Sequence, residues 1–99
     1  MHFLTAQPDA LAVAADTLGS VGAALSDGNA AAAGPTTGVL PPAADEVSAL
    51  VATQFAAHAA TYQAVSAKAV AIHEQLVATL AASAGSYAAT EAANVAAAQ

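Results

Sequence analysis

Apolar side chains recur at helical spacing on both sides of a single break in the chain. The break spans residues 34–42, where two glycines and three prolines predict a turn. A first helix is predicted over residues 8–33, because Gly34 followed by Pro35 is typical of a helix end. A second helix is predicted over residues 43–84. The pattern therefore predicts an all-α chain, folded as a two-helix antiparallel hairpin.

The second predicted helix carries two rows of side chains at helical spacing. One row, the first stripe, consists of Val51, Phe55, His58, Tyr62, Val65, Ala69, Ile72 and Leu76. The other row, the second stripe, consists of Val47, Leu50, Val70, His73, Val77 and Leu80. One stripe is enough to pack against the first helix, so two stripes on one helix indicate two contact surfaces.

The two predicted helices differ in length. At 1.5 Å per residue the first spans about 39 Å and the second about 60 Å, so the second extends beyond the first by about 20 Å. Residues 65–80 are expected to lie partly in this extension, where the chain's own hairpin leaves them uncovered. Exposed apolar surface on that scale marks a protein–protein contact. The sequence therefore predicts a partner, whose own hairpin completes a four-helix bundle.

Leucines recur every seven residues on and just before the first predicted helix, at Leu4, Leu11, Leu18 and Leu25. Ala14 and Val21 fill the companion positions, which predicts a short coiled-coil-like seam. The same helix contains three glycines, expected to weaken it locally or to admit another backbone: Gly19, Gly22 and Gly28. A self-assembling coiled coil is an alternative, but the near absence of flanking charge pairs argues against it.

Composition restricts both the core and the kind of partner. Hydrophobic residues make up 58% of the chain, and most of them are alanine, which forms helix readily but buries little area. The net charge is −6 and Lys68 is the sole lysine or arginine, which argues against nucleic acid or an anionic membrane surface as a partner. Polar residues interrupt every apolar window, which argues against a membrane-spanning helix.

Few side chains suit catalysis. His58 and Tyr62 stand four residues apart on one helix face, where a partly buried polar pair is favoured over a metal-ligand or acid–base pair. His73 is expected at an interface rather than in solvent. Asp45 and Glu46 suit the first turn of the second helix without any catalytic role. The sequence predicts no enzyme activity, no metal site and no cofactor.

Two segments leave alternatives open. Residues 34–42 are slightly long for a helix–helix connection and form either a plain turn or a recognition loop. Residues 85–99 either extend the second helix or are disordered. Within them Tyr87 and Glu91 stand four residues apart. On a helix they share a face, and they either present an aromatic ring and a carboxylate to a receptor or form an ordinary exposed pair.

Several short stretches together resemble the PE family of mycobacteria over essentially the whole chain. They are Asn29 to Ala33, Pro35 to Val39, Pro42 to Leu50, Phe55 to His58, Tyr62 to Gln63, Val65 to Ala67, Ile72 to Glu74 and Gly85 to Ala92. The Pro-Glu pair for which the family is named is Pro8-Asp9 here, and Asp9 retains a carboxylate at the helix start.

The resemblance implies a set of partners and a location. The hairpin domain, residues 1–84, is expected to pair lengthwise with a PPE protein in a four-helix bundle, while residues 85–99 form a tail. The pair is expected to leave the cytoplasm folded, through a type VII (ESX) secretion system, and to be secreted or held at the cell surface. The chain is most similar to ESX-5-associated members. Tyr87 and Glu91 match the family's Tyr-x-x-x-Asp/Glu export signal, and a chaperone of the EspG type is expected to hold the PPE partner.

The residues expected to line the partner interface come from both predicted helices. They are Leu11, Leu18, Val21, Leu25, Val51, Phe55, Tyr62, Val65, Ile72 and Leu76. An alternative function is that of a cell-envelope component, in which an exported PE–PPE complex associates with the outer membrane and aids solute uptake or host interaction.

Overall fold

Two helices make up the part of the chain that the structure describes. The computed structural model describes residues 5–99, in which α1 spans Pro8–Thr37 and α2 spans Glu46–Ala97, with no strand in that range. The all-α, two-helix architecture agrees with the sequence prediction, whereas its completion to a four-helix bundle stays a prediction. Leu4, the first member of the leucine repeat, lies outside the described residues.

The end of α1 differs from the prediction, which placed it at residue 33. The helix continues through Pro35 to Thr37, although proline has no N–H to donate to the preceding turn. Gly34 adopts no positive φ, so it is not the left-handed cap that was expected. The hydroxyls of Thr36 and Thr37 donate to the carbonyls four residues earlier, each at 2.6 Å. These side-chain bonds reinforce the turn that contains the proline.

The start of α2 lies three residues later than predicted, and Asp45 caps it rather than lying in its first turn. Oδ1 of Asp45 accepts a hydrogen bond from the N–H of Ser48 at 3.2 Å, as a helix N-cap side chain does. Hydrogen bonds from Ser48, first from its side chain and then from its N–H, hold the pKa of Asp45 below its ordinary value. Glu46 is therefore the first helical residue.

The carboxyl-terminal end of α2 lies well beyond the predicted end at residue 84. The helix passes through Gly85 and continues to Ala97, so extension rather than disorder is the outcome for this segment. Alanine, which has the highest helix propensity, occupies six of the thirteen positions from Gly85 to Ala97 and offsets the cost of the single glycine. The functional division between residues 1–84 and 85–99 stays a prediction.

The described chain consists of two compact units, each with one stretch of α1 and one of α2. The first unit contains the residues up to Gly22 and those from His73 onward. In it Gly22 lies against His73, and Gly19, one turn earlier on α1, lies against Val77, one turn later on α2. The two stretches therefore run antiparallel.

The second unit spans Ala23–Ile72 and includes the connection between the helices. Asn29 joins its two helical stretches. The hydroxyl of Tyr62 donates to Oδ1 of Asn29 at 2.8 Å, and Nε2 of Gln63 donates to the main-chain carbonyl of Asn29 at 3.0 Å. Two neighbouring residues of α2 thus hold one residue of α1 by its side chain and by its backbone.

The row of α1 that faces α2 in the first unit is shifted by one residue from the predicted companion row. Ala14 and Val21, expected in the seam, are exposed. Ala15 is buried instead, and Gly22 lies against His73. Small residues on the inner row allow α2 to approach closely, which is the role that a glycine can have inside a helix.

The buried hydrophobic side chains of the described residues are all alanines, namely Ala15, Ala52, Ala59 and Ala84. Fifteen large hydrophobic side chains are exposed. Helix packing within each unit therefore leaves most of the large apolar side chains uncovered.

Candidate protein–protein interaction surface

The first stripe of α2 is exposed along its whole length. All eight of its members are exposed, and Phe55, Val65 and Ile72 keep 62%, 60% and 66% of their surface accessible. Four members of the second stripe are instead half-buried: Val70, His73, Val77 and Leu80. Val47 and Leu50, the other two members, are exposed. The carboxyl-terminal part of the second stripe is therefore the part shielded by helix packing, and the first stripe is left uncovered.

The sequence predicted uncovered apolar surface within residues 65–80 because the second helix was expected to extend beyond the first, and the structure gives a different reason. The stretch 65–80 does not lie beyond the reach of α1, because His73 and Val77 lie against it in the first unit. Ile72 and Leu76 each precede one of these residues by a single position, and so point about 100° away around the helix. Their exposure results from the face they occupy. Every residue of α2 from Gly85 to Ala97 is exposed.

His73 is half-buried, in agreement with an interface position, and its contact is with the chain itself. Nε2 of His73 donates a hydrogen bond to the main-chain carbonyl of Leu18 at 2.6 Å, within the first unit. A carbonyl oxygen only accepts, so Nε2 carries the proton. His73 therefore joins the two helical stretches of the first unit, as Asn29 does in the second.

A groove of about 380 Å³ lies between the two helical stretches of the second unit. This Asn29 groove is lined by Asn29, Ala32, Pro35, Thr36, Val39, Phe55, His58, Ala59 and Tyr62. His58 and Tyr62 line it together, but both are exposed, so the partly buried pair expected from the sequence is not what the structure contains. The groove offers an apolar lining with a few polar groups, as protein-binding surfaces commonly do.

A neighbouring groove of about 410 Å³ runs along α2 itself. Leu50, Val51, Gln54, Phe55 and His58 line it. Phe55 and His58 therefore belong to both grooves, and the exposed Phe55 ring stands between them. A side chain in that position can enter a pocket on a partner, as aromatic anchors of protein interfaces do.

Eight of the ten predicted interface residues are exposed: Val21, Leu25, Val51, Phe55, Tyr62, Val65, Ile72 and Leu76. Leu11 and Leu18 are half-buried in the first unit. The accessibility of the eight suits a contact surface, and their role in binding a partner stays a prediction. Asn29 and Val39 also line the candidate surface, although the predicted interface did not include them. Asn29 is followed by four alanines in the sequence, and this isolated amide could have indicated that it belongs to the surface.

Tyr87 and Glu91 lie on the exposed final stretch of α2, one helical turn apart. Tyr87 keeps 43% of its surface accessible. Because the segment is helical, the ring and the carboxylate share one side of α2, as expected for residues four positions apart. Their role in export stays a prediction.

No group of three or more histidine, cysteine or acidic side chains is arranged to hold a metal ion within residues 5–99. Neither described helix combines the length and the apolarity that crossing a membrane requires. The lining of the two grooves is apolar, with a few amide, hydroxyl and imidazole groups.

Comparison with known proteins gives close relatives. The sequence model of the PE family matches residues 4–94. PE family protein PE13 of Mycobacterium tuberculosis is 70% identical over 98 residues, which is 99% of both chains. PE-PGRS family protein PE_PGRS33 of the same species is 54% identical over 96 residues, 97% of this chain but 20% of the relative. PE family protein PE8 is 52% identical over 98 residues and has 36% of its length covered.

Proposed function

Because this chain belongs to the PE family, we propose that it is the non-enzymatic PE subunit of a PE–PPE heterodimer. A type VII (ESX) secretion system exports the heterodimer in the folded state. Within that class we propose the ESX-5 system, on the strength of the sequence stretches that resemble ESX-5-associated members. The subunit acts by binding protein partners and uses no cofactor.

The uncovered first stripe of α2 is the observation that supports a partner. Phe55, Val65 and Ile72 are each more than half exposed, while the buried hydrophobic side chains of the described residues are alanines. Burying one large aliphatic or aromatic side chain contributes about 1.5–3 kcal/mol. A second hairpin along the first stripe supplies the missing core.

The Asn29 groove indicates how such a hairpin lies. Its lining comes from both helical stretches of the second unit, so a partner helix seated there contacts α1 and α2 together. Phe55 and Tyr62 flank this seat and provide the largest apolar areas. A hairpin contributed by a PPE protein then completes four-helix packing, in which each helix buries its apolar face against its neighbours.

Export of the pair depends on Tyr87 and Glu91, which stand beyond the buried Ala84 on an exposed helical segment. Both side chains are free for a receptor even when the first stripe is covered by the partner. An EspG-type chaperone holds the PPE subunit before export and contacts this chain only indirectly. The complex is cytoplasmic before export and is secreted or held at the cell surface afterwards.

Co-expression with a PPE protein tests the heterodimer. We expect the chain alone to be insoluble or molten, and its co-expression with the PPE protein encoded beside it to give a soluble one-to-one complex. Phe55→Asp should abolish co-purification, because a carboxylate would be buried in the interface without a partner. Val13→Asp is the matched control, since Val13 is equally exposed on α1 but lies off the predicted interface.

Two results would count against the proposed heterodimer. One is a cooperatively melting monomer obtained from the chain expressed alone, seen by circular dichroism and sedimentation. The other is equal recovery of the complex with Phe55→Asp and with Val13→Asp. Either result would mean that the first stripe is not covered by a PPE protein.

A cell-envelope role is the second candidate, and it rests on the same exposed first stripe, which can contact lipid as well as protein. In that role the exported complex associates with the outer membrane and aids solute uptake or host interaction. Protease treatment of intact cells separates the possibilities. A complex embedded in the envelope is protected until detergent is added, whereas a complex covered by PPE and merely secreted is found in the medium.

A further inference from the structure

Beyond Ala84, the face of α2 that is shielded in the first unit continues without cover. That face is formed by residues at alternating steps of four and three: His73, Val77, Leu80 and Ala84. The next two steps lead to Tyr87 and Glu91. Ala84 is 5% exposed, whereas Tyr87 is 43% exposed and every later residue is exposed. The row that is shielded up to Ala84 is therefore open from Tyr87 onward.

Val95 extends this open row by another turn. Tyr87, Glu91 and Val95 are spaced by four residues, so they form one ridge along α2 about 12 Å long. Val95 is 62% exposed, and it and Tyr87 are the only large apolar side chains between residues 85 and 99. Both therefore lie on the same ridge, with the carboxylate of Glu91 between them.

The ridge carries a negative charge, and a cation that pairs with it must come from a binding partner. Glu91 is the only charged side chain between residues 85 and 99, and Lys68 is the only lysine or arginine of the chain. Lys68 belongs to the second unit, and the first unit, which contains Glu91, has no lysine or arginine in its sequence. A binding partner that covers the ridge must supply the cation itself.

We propose that Tyr87, Glu91 and Val95 form a single helical recognition ridge, which a receptor of the export machinery binds in an apolar groove with an arginine or lysine opposite Glu91. The inference rests on the proposed function, since it specifies how the export signal is bound. The four-residue spacing suits this mode of binding, because a helix places a ring and a carboxylate four residues apart next to each other on one ridge. It also adds Val95, which the two-residue element does not include.

The test measures export of the chain, co-expressed with its PPE protein in a mycobacterial host, as the ratio of culture filtrate to cell lysate. Val95→Ala should reduce this ratio about tenfold, as expected when an apolar anchor is lost. The matched control exchanges Val95 and Ala96, which keeps composition but moves the isopropyl group off the ridge by about 100°. We expect the exchange to reduce export as much as Val95→Ala does.

Two further variants test the helix and the charge. Ala89→Pro keeps the Tyr-x-x-x-Glu spacing in the sequence but interrupts the helix between its two ends, so export should be lost. Glu91→Gln keeps the shape of the side chain and removes its charge, so export should fall about tenfold. Co-purification with the PPE protein confirms in each case that the heterodimer is intact.

The outcomes separate this inference from the proposed function. Tyr87→Ala exported at the wild-type level would overturn both the tail signal and the ridge. Loss of export with Tyr87→Ala, but wild-type export of Ala89→Pro and of the Val95 variants, would overturn the ridge alone. Wild-type export of Glu91→Gln would overturn the cation in the receptor groove.

Discussion

His73 reaches the backbone of α1 across Gly22. Its Nε2 donates to the carbonyl oxygen of Leu18 at 2.6 Å, and Gly22 lies one turn after Leu18 on α1. A Cβ placed on Gly22 would lie 2.7 Å from Cδ2 of the His73 ring, closer than carbon atoms approach. The missing side chain therefore makes room for the imidazole, and the hydrogen bond fixes the position of α2 along α1 in the first unit.

Gly22→Ala should destabilise the fold. Alanine has the better helix propensity, but its methyl group overlaps the imidazole, and we expect a net loss of about 1–3 kcal/mol in the free energy of unfolding. Urea titration followed by circular dichroism, on the purified chain or its complex, measures the change. Gly28→Ala is the matched control, because its Cβ meets nothing within 4 Å. It should stabilise by about 0.5–1 kcal/mol, and stabilisation by both variants would contradict the close contact.

A double-mutant cycle between Gly22 and His73 should show strong coupling. His73→Ala alone removes the hydrogen bond to Leu18 and the packing of the ring. In the His73→Ala background, Gly22→Ala has no ring to displace. The double variant should therefore lose less free energy of unfolding than the sum of the two single variants, by about 1 kcal/mol or more. The same urea titrations supply the four values of the cycle. Additivity within about 0.5 kcal/mol would mean that the ring and the glycine do not share one space.

The sequence pattern predicted the number of helices, the place of the connection and the two stripes of α2, but it left open which stripe packs within the hairpin. These follow from the spacing of residues such as Phe55, Val65 and Ile72, which stand out against alanine. The pattern gave a wrong prediction where neighbouring residues do not differ in hydrophobicity. Ala14 and Ala15 are chemically identical, so hydrophobicity could not show that Ala15 is the buried one.

The ends of the helices were predicted less well, because the effect of residues that usually end or weaken a helix was outweighed by the residues around them. Pro35 should end α1, yet the threonine hydroxyls after it bond back to the helix and one further turn forms. Gly85 should weaken α2, yet the alanines around it carry the helix to Ala97. The bond between Tyr62 and Asn29 joins residues 33 positions apart, so no local pattern could predict it.

Asn29 and Tyr62 should each contribute modestly to stability through the bond that they share. Tyr62→Phe removes only the hydroxyl, and Asn29→Ala removes its acceptor while leaving the main-chain carbonyl that Gln63 binds. We expect each variant to lose about 0.5–1.5 kcal/mol, and the double variant to lose little more than either alone. Thermal unfolding measures all three.

Asn94→Ala provides the control for the loss of an amide from an exposed helix. Its side chain lies in the exposed final stretch of α2, so a change within about 0.5 kcal/mol is expected. A loss equal to that of Asn29→Ala would show that the loss of Asn29 is not due to its bond with Tyr62.

The N-cap of α2 should make the stability depend on pH in the acid range. The hydrogen bonds from Ser48 lower the pKa of Asp45 in the folded state, so the unfolded chain binds the proton more tightly. The contribution of the cap to the free energy of unfolding is therefore complete above the pKa of Asp45 in the unfolded chain, at about pH 4. It is lost as the pH falls through the lower pKa of the folded state.

The variant Asp45→Asn can still accept a hydrogen bond from Ser48 but does not titrate. Melting temperatures from about pH 7 to about pH 2 should fall less steeply for Asp45→Asn than for the wild type, with Ser48→Ala intermediate. Parallel curves for the wild type and Asp45→Asn would mean that the cap carries no proton linkage.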